Sequence, residues 1–175
     1  MIDVMTPEQR SAAMARIRGK DTKPELWVRR FIWSKGLRYR LHAKNLPGAP
    51  DIVLKRWNAA IFVHGCFWHH HDDCPLFKLP STRQEFWREK LQSNARRDAA
   101  SVNKLTAQEW RVLVIWECAM RFDAVLAEEQ TLAWITTQRT SAEIAWKDGK
   151  VVTECIVAPP RTGPQLAPQR GSAAS

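Results

Sequence analysis

Apolar residues recur at helical spacing near the start of the chain. Thr6-Pro7-Glu8-Gln9 has the form of a capping box with proline in the first turn, and predicts a helix over about residues 6–18. Thr22-Lys23-Pro24-Glu25 repeats that signature. The helix it opens sets Trp27 with Phe31 and Val28 with Ile32 four positions apart and stops at Gly36. The period then shortens. Residues 37–41 alternate enough for a strand, 45–50 (Asn-Leu-Pro-Gly-Ala-Pro) form a turn, and 51–54 and 59–63 read as two strands joined by a short turn. Thr82-Arg83-Gln84-Glu85 is a third capping box and predicts a helix to about Gln108. Residues 110–116 (WRVLVIW) are almost continuously apolar and β-branched, as expected of a buried central strand. Helical stretches are predicted over 122–138 and a late strand over 151–157, with Cys155 in the core. This order predicts an α/β fold, a central mixed sheet flanked by helices, forming one domain over 1–157. From Ala158 onward four of eighteen residues are proline and no apolar period survives, which predicts a disordered tail over 158–175.

Composition narrows the class. A chain of 175 residues with 45% hydrophobic and 26% charged positions can bury a sizeable core, so wholesale disorder is excluded. No apolar run approaches the ~20 residues of a membrane span, and no secretory segment opens the chain, which predicts a soluble, cytoplasmic protein without membrane partners. Four cysteines are too few for a disulfide scaffold and read as ligands or core residues. The net charge is +9, and residues 1–50 alone carry 11 basic against 4 acidic side chains. So local an excess suits either a face directed at a polyanion or a solvated basic surface. Nine tryptophans favour nucleic acid, because flat apolar rings stack on bases or wedge between them, although most should belong to the core.

Chemistry concentrates in residues 64–80, an irregular stretch rich in His, Cys and Asp and too long for a simple connection. Cys66, His71 and Cys74 lie within nine residues, and Cys118 follows the predicted central strand. A Cys₃His set suits tetrahedral zinc, which would hold a loop that has no hydrophobic period of its own. His64, His69 and His70 remain as spare imidazoles on that loop. Asp51 follows a Pro-Gly-Ala-Pro turn and begins a strand, a placement many metal-dependent nucleases use, but it serves equally as a turn-ending aspartate. Such nucleases normally put an acidic residue on the next strand with a lysine one position later. Here Val63 occupies the first place, and there is no lysine.

Taken together, Leu46-Pro47-Gly48-Ala49-Pro50-Asp51-Ile52-Val53, the run IFVHGCFWHHH over 61–71, LFKLPSTRQEFW over 76–87 and WRVLVIWECA over 110–119 resemble the very short patch repair (Vsr) DNA mismatch endonucleases. The likeness starts at about Arg10-Ser11, and residues beyond about 140 lie outside it; one departure is the spacing His71-Asp72-Asp73-Cys74. The resemblance implies a restriction-endonuclease-like fold with one structural zinc. It also implies an activity that nicks double-stranded DNA 5′ to the thymine of a T:G mismatch left by deamination of 5-methylcytosine. One or two catalytic Mg²⁺ ions would be held by Asp51 and by the backbone carbonyl of Val63. His69 would take the proton from water, Asp98 would orient that imidazole, and His64 would touch the phosphate or a metal-bound water. Glu25 has two readings that can both hold, a capping residue and an active-site carboxylate. Phe67, Trp68 and Trp87 would enter the base step, braced by Met14 and Ile17 of the first helix, while Arg10, Arg16 and Arg18 grip phosphates. The partner implied is mismatched duplex DNA bound by a monomer, with repair proteins as further candidates. Two other readings compete: a zinc-stabilised DNA-binding module without hydrolytic activity, and a restriction-like enzyme that cuts matched DNA.

Overall fold

The computed structural model describes residues 19–137 and 140–156. The predicted helix over 6–18, with Arg10, Met14, Arg16, Ile17 and Arg18, lies outside the described residues, and so does the predicted tail. Helix α1 (Lys23–Ser34) leads into the short strand β1 (Arg40–Leu41), then β2 (Ile52–Leu54) and β3 (Ala59–His64). The long helix α2 (Gln84–Ala107) follows, then β4 (Arg111–Trp116), α3 (Glu117–Phe122), α4 (Ala124–Thr136) and the hairpin β5 (Ala142–Lys147) and β6 (Lys150–Cys155). Among the described residues no helix is long and apolar enough to cross a membrane.

The six strands lie in the order β1-β2-β3-β4-β5-β6. The β3–β4 and β4–β5 pairs are parallel and the others antiparallel, so the sheet is mixed as expected. Helices cover both faces, and the strand period of two sorts the side chains between them. Ala59, Ile61 and Val63 of β3, with Leu113 and Ile115 of β4, join the core that includes Val28 and Ile32 of α1 and Trp134 of α4. Ala60 and Phe62, with Val112, Val114 and Trp116, pack on the other face with Val102 and Leu105 of α2.

Local chemistry explains most boundaries. Thr22 caps α1 by accepting the Glu25 N–H at 3.4 Å, and the Glu25 carboxylate accepts the Asp21 N–H at 3.0 Å. Past the end of that helix, Gly36 takes φ +76°, as a left-handed C-terminal residue should. Gly48 is the other glycine that matters here. It has φ +73°, and a Cβ on it would stand 2.6 Å from the Ser101 Cβ, so the loop before Asp51 can lie against α2 only without a side chain.

Several expectations need correction. The strand expected over 37–41 is reduced to two residues with both side chains exposed, because it lies at the sheet edge. The third capping box is displaced, with Arg83 in place of Thr82 at the helix start. Arg83 precedes α2 at φ +52° and supplies no side-chain cap, and that left-handed turn separates Thr82 from the helix. Helix α4 fills most of the helical stretches expected over 122–138, but α3 before it was not expected; the two meet at Asp123, whose carboxylate caps α4 by accepting the Leu126 N–H at 3.0 Å. Strand β5 was not foreseen at all. Cys155 is exposed, because it ends the outer strand β6. Of the tryptophans, Trp116 and Trp134 are buried, while Trp27, Trp57, Trp110 and Trp146 lean on the core with part of each ring in water.

Candidate active site and metal centre

The loop after β3 supplies Cys66, His71 and Cys74, and the first turn of α3 supplies Cys118. Backbone turns shape it: the His71 N–H donates to the Cys66 carbonyl at 3.0 Å and the Phe77 N–H to the Cys74 carbonyl at 2.9 Å. All four residues are buried, and one ligand atom from each lies within 4.8 Å of the others. A tetrahedral zinc with Zn–S bonds of about 2.3 Å has edges of about 3.8 Å, so the set fits that ion with little movement. Cys118 Sγ stands 3.5 Å from His71 Nδ1 and accepts the Trp146 N–H at 3.3 Å. A hydrogen bond from Cys66 pushes the Cys118 thiol down to about 4, with His71 and the Trp146 N–H adding to the effect. The same bond and burial push Cys66 up. A cluster that already favours one thiolate is prepared for a soft cation.

On the other side of the loop a cleft of about 690 Å³ opens where β3 and β4 end. Carboxyl ends of parallel strands are where open α/β sheets place their ligands. Glu25, Asp51, Val63, His64, His69 and Asp98 all line it. Asp51 precedes β2, and its Oδ2 accepts the Val63 N–H at 2.8 Å. Extending the β2–β3 register places Pro50 opposite Val63. Proline has no N–H to give, so at this position the β2–β3 ladder offers no donor to the Val63 carbonyl. The N–H serves the Asp51 carboxylate, and the carbonyl points to the same edge. A carboxylate and a backbone oxygen side by side are ligands a hard divalent cation accepts. Burial pushes the Asp51 carboxyl up to about 6, and nearby Glu25 adds to this, against the pull of the Val63 N–H, His42 and Arg29.

His69 Nδ1 and Asp98 Oδ2 are 2.7 Å apart. An ionised carboxylate only accepts, so the proton sits on Nδ1 and the lone pair on Nε2. Asn94 of α2 donates to the Trp68 carbonyl at 2.9 Å and ties the loop to the helix that carries Asp98. His64 lies under His69, with ring centroids 3.8 Å apart and planes at 5°. Burial above all holds the His64 imidazole well below its usual range, so it stays neutral. Ligand atoms of His64, His69 and Asp98 lie within 4.8 Å of each other. The two parallel rings nevertheless direct their in-plane lone pairs side by side instead of at one point. That arrangement suits proton transfer better than a shared cation.

Glu25 occupies both of its expected positions, capping α1 and lining the cleft, while its Oε2 pairs with Arg29 Nη2 at 2.7 Å. Phe67, Trp68 and Trp87 form one half-buried aromatic wall, with centroids 5.0 Å apart for Phe67–Trp68 and 5.5 Å for Phe67–Trp87. Sequence reasoning missed three residues around the cleft. Glu117 lines it from the first turn of α3, and Arg29 and His42 stand behind Glu25 and Asp51. No motif marks Arg29 or His42; only the fold brings them to the site.

Comparison with known proteins adds an independent finding. A sequence profile described as DNA mismatch endonuclease Vsr matches residues 2–75. The DNA mismatch endonuclease Vsr of Escherichia coli (strain K12) is 41% identical over 148 residues, which cover 82% of this chain and 94% of that protein. The type II nicking enzyme V.XorIIP of Xanthomonas oryzae pv. oryzae is 44% identical over 120 residues, covering 69% of this chain and 88% of that enzyme.

Proposed function

The chain belongs to the Vsr family of DNA mismatch endonucleases, and from that premise we propose that it nicks one strand of duplex DNA 5′ to the thymine of a T:G mismatch. Endonuclease action on DNA in mismatch repair follows from the family; the lesion, the strand position and the metal are the proposal. In this reading residues 1–157 act as one cytoplasmic, monomeric endonuclease domain. One observation carries it: the Asp51 carboxylate, set against the Val63 backbone, shares a cleft with the His69–Asp98 pair.

Asp51 and the Val63 carbonyl would hold Mg²⁺, as one or two ions. When bound, it supplies a hard positive charge against the phosphate oxygens. His69, with its proton fixed on Nδ1 by Asp98, keeps Nε2 free to accept a proton from the attacking water. Asp98 then faces the imidazolium and stabilises it. His64, neutral and stacked beneath, keeps the ring from rotating and offers a nitrogen to the phosphate or its water. Glu25, buried and paired with Arg29, keeps a second carboxylate in the cleft near Asp51. Phe67, Trp68 and Trp87 would enter the base step, and a mismatched pair yields at lower cost than a Watson–Crick pair. Arg10, Met14, Arg16, Ile17 and Arg18 would brace and grip the duplex from the N-terminal segment. Cys66, His71, Cys74 and Cys118 would hold zinc and keep the loop that carries His69 in place.

The test is incubation with Mg²⁺ and end-labelled duplexes, one T:G and one fully matched. Cutting of one strand 5′ to the mismatched thymine is expected, and Asp51→Ala should abolish it while leaving mismatch binding in place. Tight binding with intact strands would favour the non-hydrolytic module. Double-strand cutting of the matched duplex would favour a restriction-like enzyme.

A further inference from the structure

Behind the two carboxylates of the cleft lies a buried cation with no place in the mechanism above. Arg29 is 5% exposed. Its Nη1 donates to Asp21 Oδ1 at 2.5 Å, and its Nη2 donates to Glu25 Oε2 at 2.7 Å. The same Nη2 stands 3.0 Å from His42 Nε2. The Tyr39 hydroxyl donates to the Arg29 carbonyl at 3.2 Å and ties that turn of α1 to the segment before β1. His42 sits at φ +45°, and its N–H donates to the Asp51 carbonyl at 3.4 Å. Its Nδ1 lies 4.0 Å from Asp51 Oδ1.

The chemistry of these groups fixes a direction. A guanidinium carries only donors, so His42 Nε2 must accept from Arg29. The imidazole proton is therefore on Nδ1, the nitrogen that faces Asp51. Asp51 Oδ2 is already engaged by the Val63 N–H. A donor on the Oδ1 side would fix the rotation of the carboxylate about its last bond. At 4.0 Å the N–H and Oδ1 are longer than hydrogen-bond distance, so the pair is an electrostatic contact that closes when the carboxylate turns to a cation. Partners that orient metal-ligating carboxylates typically change metal affinity ~10–100-fold when they are lost. Asp21, Glu25 and His42 bring their ligand atoms within 4.8 Å of one another, a grouping that would otherwise suggest a cation site. The guanidinium itself supplies positive charge to these groups.

We propose that Arg29 and His42 are positioning residues, a relay in which the guanidinium sets the imidazole and the imidazole N–H orients the Asp51 carboxylate for its divalent cation. This rests on the reading of Asp51 as the cation-holding residue. Three variants separate the relay from mere packing. His42→Gln keeps an acceptor for Arg29 and a donor for Asp51, whereas His42→Leu keeps bulk and loses both. Arg29→Lys keeps the charge but loses the two-armed geometry.

The experiment measures Mn²⁺ binding to the intact, DNA-free protein by calorimetry or by the spin resonance of free Mn²⁺. It is run for wild type, Asp51→Ala, His42→Leu, His42→Gln and Arg29→Lys, with circular dichroism to confirm folding. The Mg²⁺ concentration giving half-maximal nicking is read alongside. Affinity should fall about tenfold or more in His42→Leu, stay within about threefold of wild type in His42→Gln, and fall in between for Arg29→Lys. Equal affinities in wild type and folded His42→Leu would overturn the relay, as would His42→Gln being as impaired as His42→Leu. Wild-type protein whose Mn²⁺ binding ignores Asp51→Ala would instead overturn the underlying assignment of Asp51.

Discussion

Cys66, His71, Cys74 and Cys118 present soft sulfur and nitrogen donors in a dry setting, each of them buried. Asp51, Val63, His69 and Asp98 present oxygen and imidazole groups on the wall of an open cleft, with His69 and Asp98 still about a third exposed. One loop joins the two regions, yet they obey opposite rules. In the first, the protein provides a full tetrahedron and its own outer contacts, including the Trp146 N–H on Cys118 and the His71 ring stacked on Trp116 at 4.0 Å. Nothing from solution can enter a set of that kind, so its effect is on stability and on the shape of the loop. In the second, on the reading proposed here, the protein would provide only part of a coordination sphere and leave the rest to phosphate and water. What the contrast teaches is that closure distinguishes a structural ion from a working one, even a few residues apart.

The sharpest way to break the contrast is Asp51→Asn. Nicking should fall by a factor of ~10³ or more, because a neutral amide cannot replace the charge that holds the cation. Stability should move the other way. The Asp51 carboxyl is raised from 3.8 to about 6 in the folded protein, so the folded state binds this proton more tightly than the unfolded state does. At pH 7 both states are ionised and the fold bears that cost, roughly 1–3 kcal/mol on the scale of 1.36 kcal/mol for each pH unit. The cost disappears as pH falls through about 6 towards 3.8. Metal-free Asp51→Asn should therefore melt above wild type at pH 7 and level with it near pH 4. A variant that melts lower at pH 7 would show that the carboxylate is not strained by burial.

Cys118→Ser should do the reverse, damaging the fold first and the chemistry only as a consequence. Metal content should drop and thermal stability with it, measured by elemental analysis and calorimetry, since binding free energy at such a site is folding free energy. A metal-replete Cys118→Ser protein of wild-type stability would remove Cys118 from the ligand set. Asp98→Asn should sharpen the picture inside the cleft. It keeps the size of the side chain but lets the imidazole take the wrong tautomer, so single-turnover nicking should slow by about 10²-fold with melting and zinc content unchanged. The smallest effect is that of pH on the cation. Below about 6 the Asp51 carboxyl holds a proton that the cation must displace. Apparent Mg²⁺ affinity should then fall about tenfold for each pH unit lost and be flat above neutrality. An unchanged Mg²⁺ requirement from pH 5 to 8 would contradict this.

Much of the fold was legible because local chemistry and hydrophobic period agreed. Thr22, Pro24, Glu25 and Gly36 marked both ends of α1, and the apolar run of β4 could be satisfied only between two covered faces. Strand β5 was missed although its turn was written in the chain. Asp148 and Gly149 both take positive φ, at 48° and 81°, and an Asp-Gly pair is a strong hairpin signal. The segment AEIAWK before it, with its Ala, Glu and Lys, favours a helix by propensity, and pairing with β4 and β6 overrode that preference. Thr82 erred the other way, a helix-start signature placed one residue early, since the left-handed Arg83 is the residue that precedes the first turn.

The sequence by itself determined which residue types were present for the chemistry and in what local order: three cysteines and a histidine for a soft ion, an aspartate after a proline turn, and a histidine run on the loop between. Those are short-range facts, set by spacing along the chain. Only the tertiary structure decided that Pro50 stands opposite Val63 at the rim of the cleft. Only there, too, does Asp98 of the long helix meet His69, and Arg29 reach His42 behind Asp51. Each of these joins residues from separate elements, and such contacts exist only once burial of the two sheet faces has fixed the register of the strands and the seating of the helices.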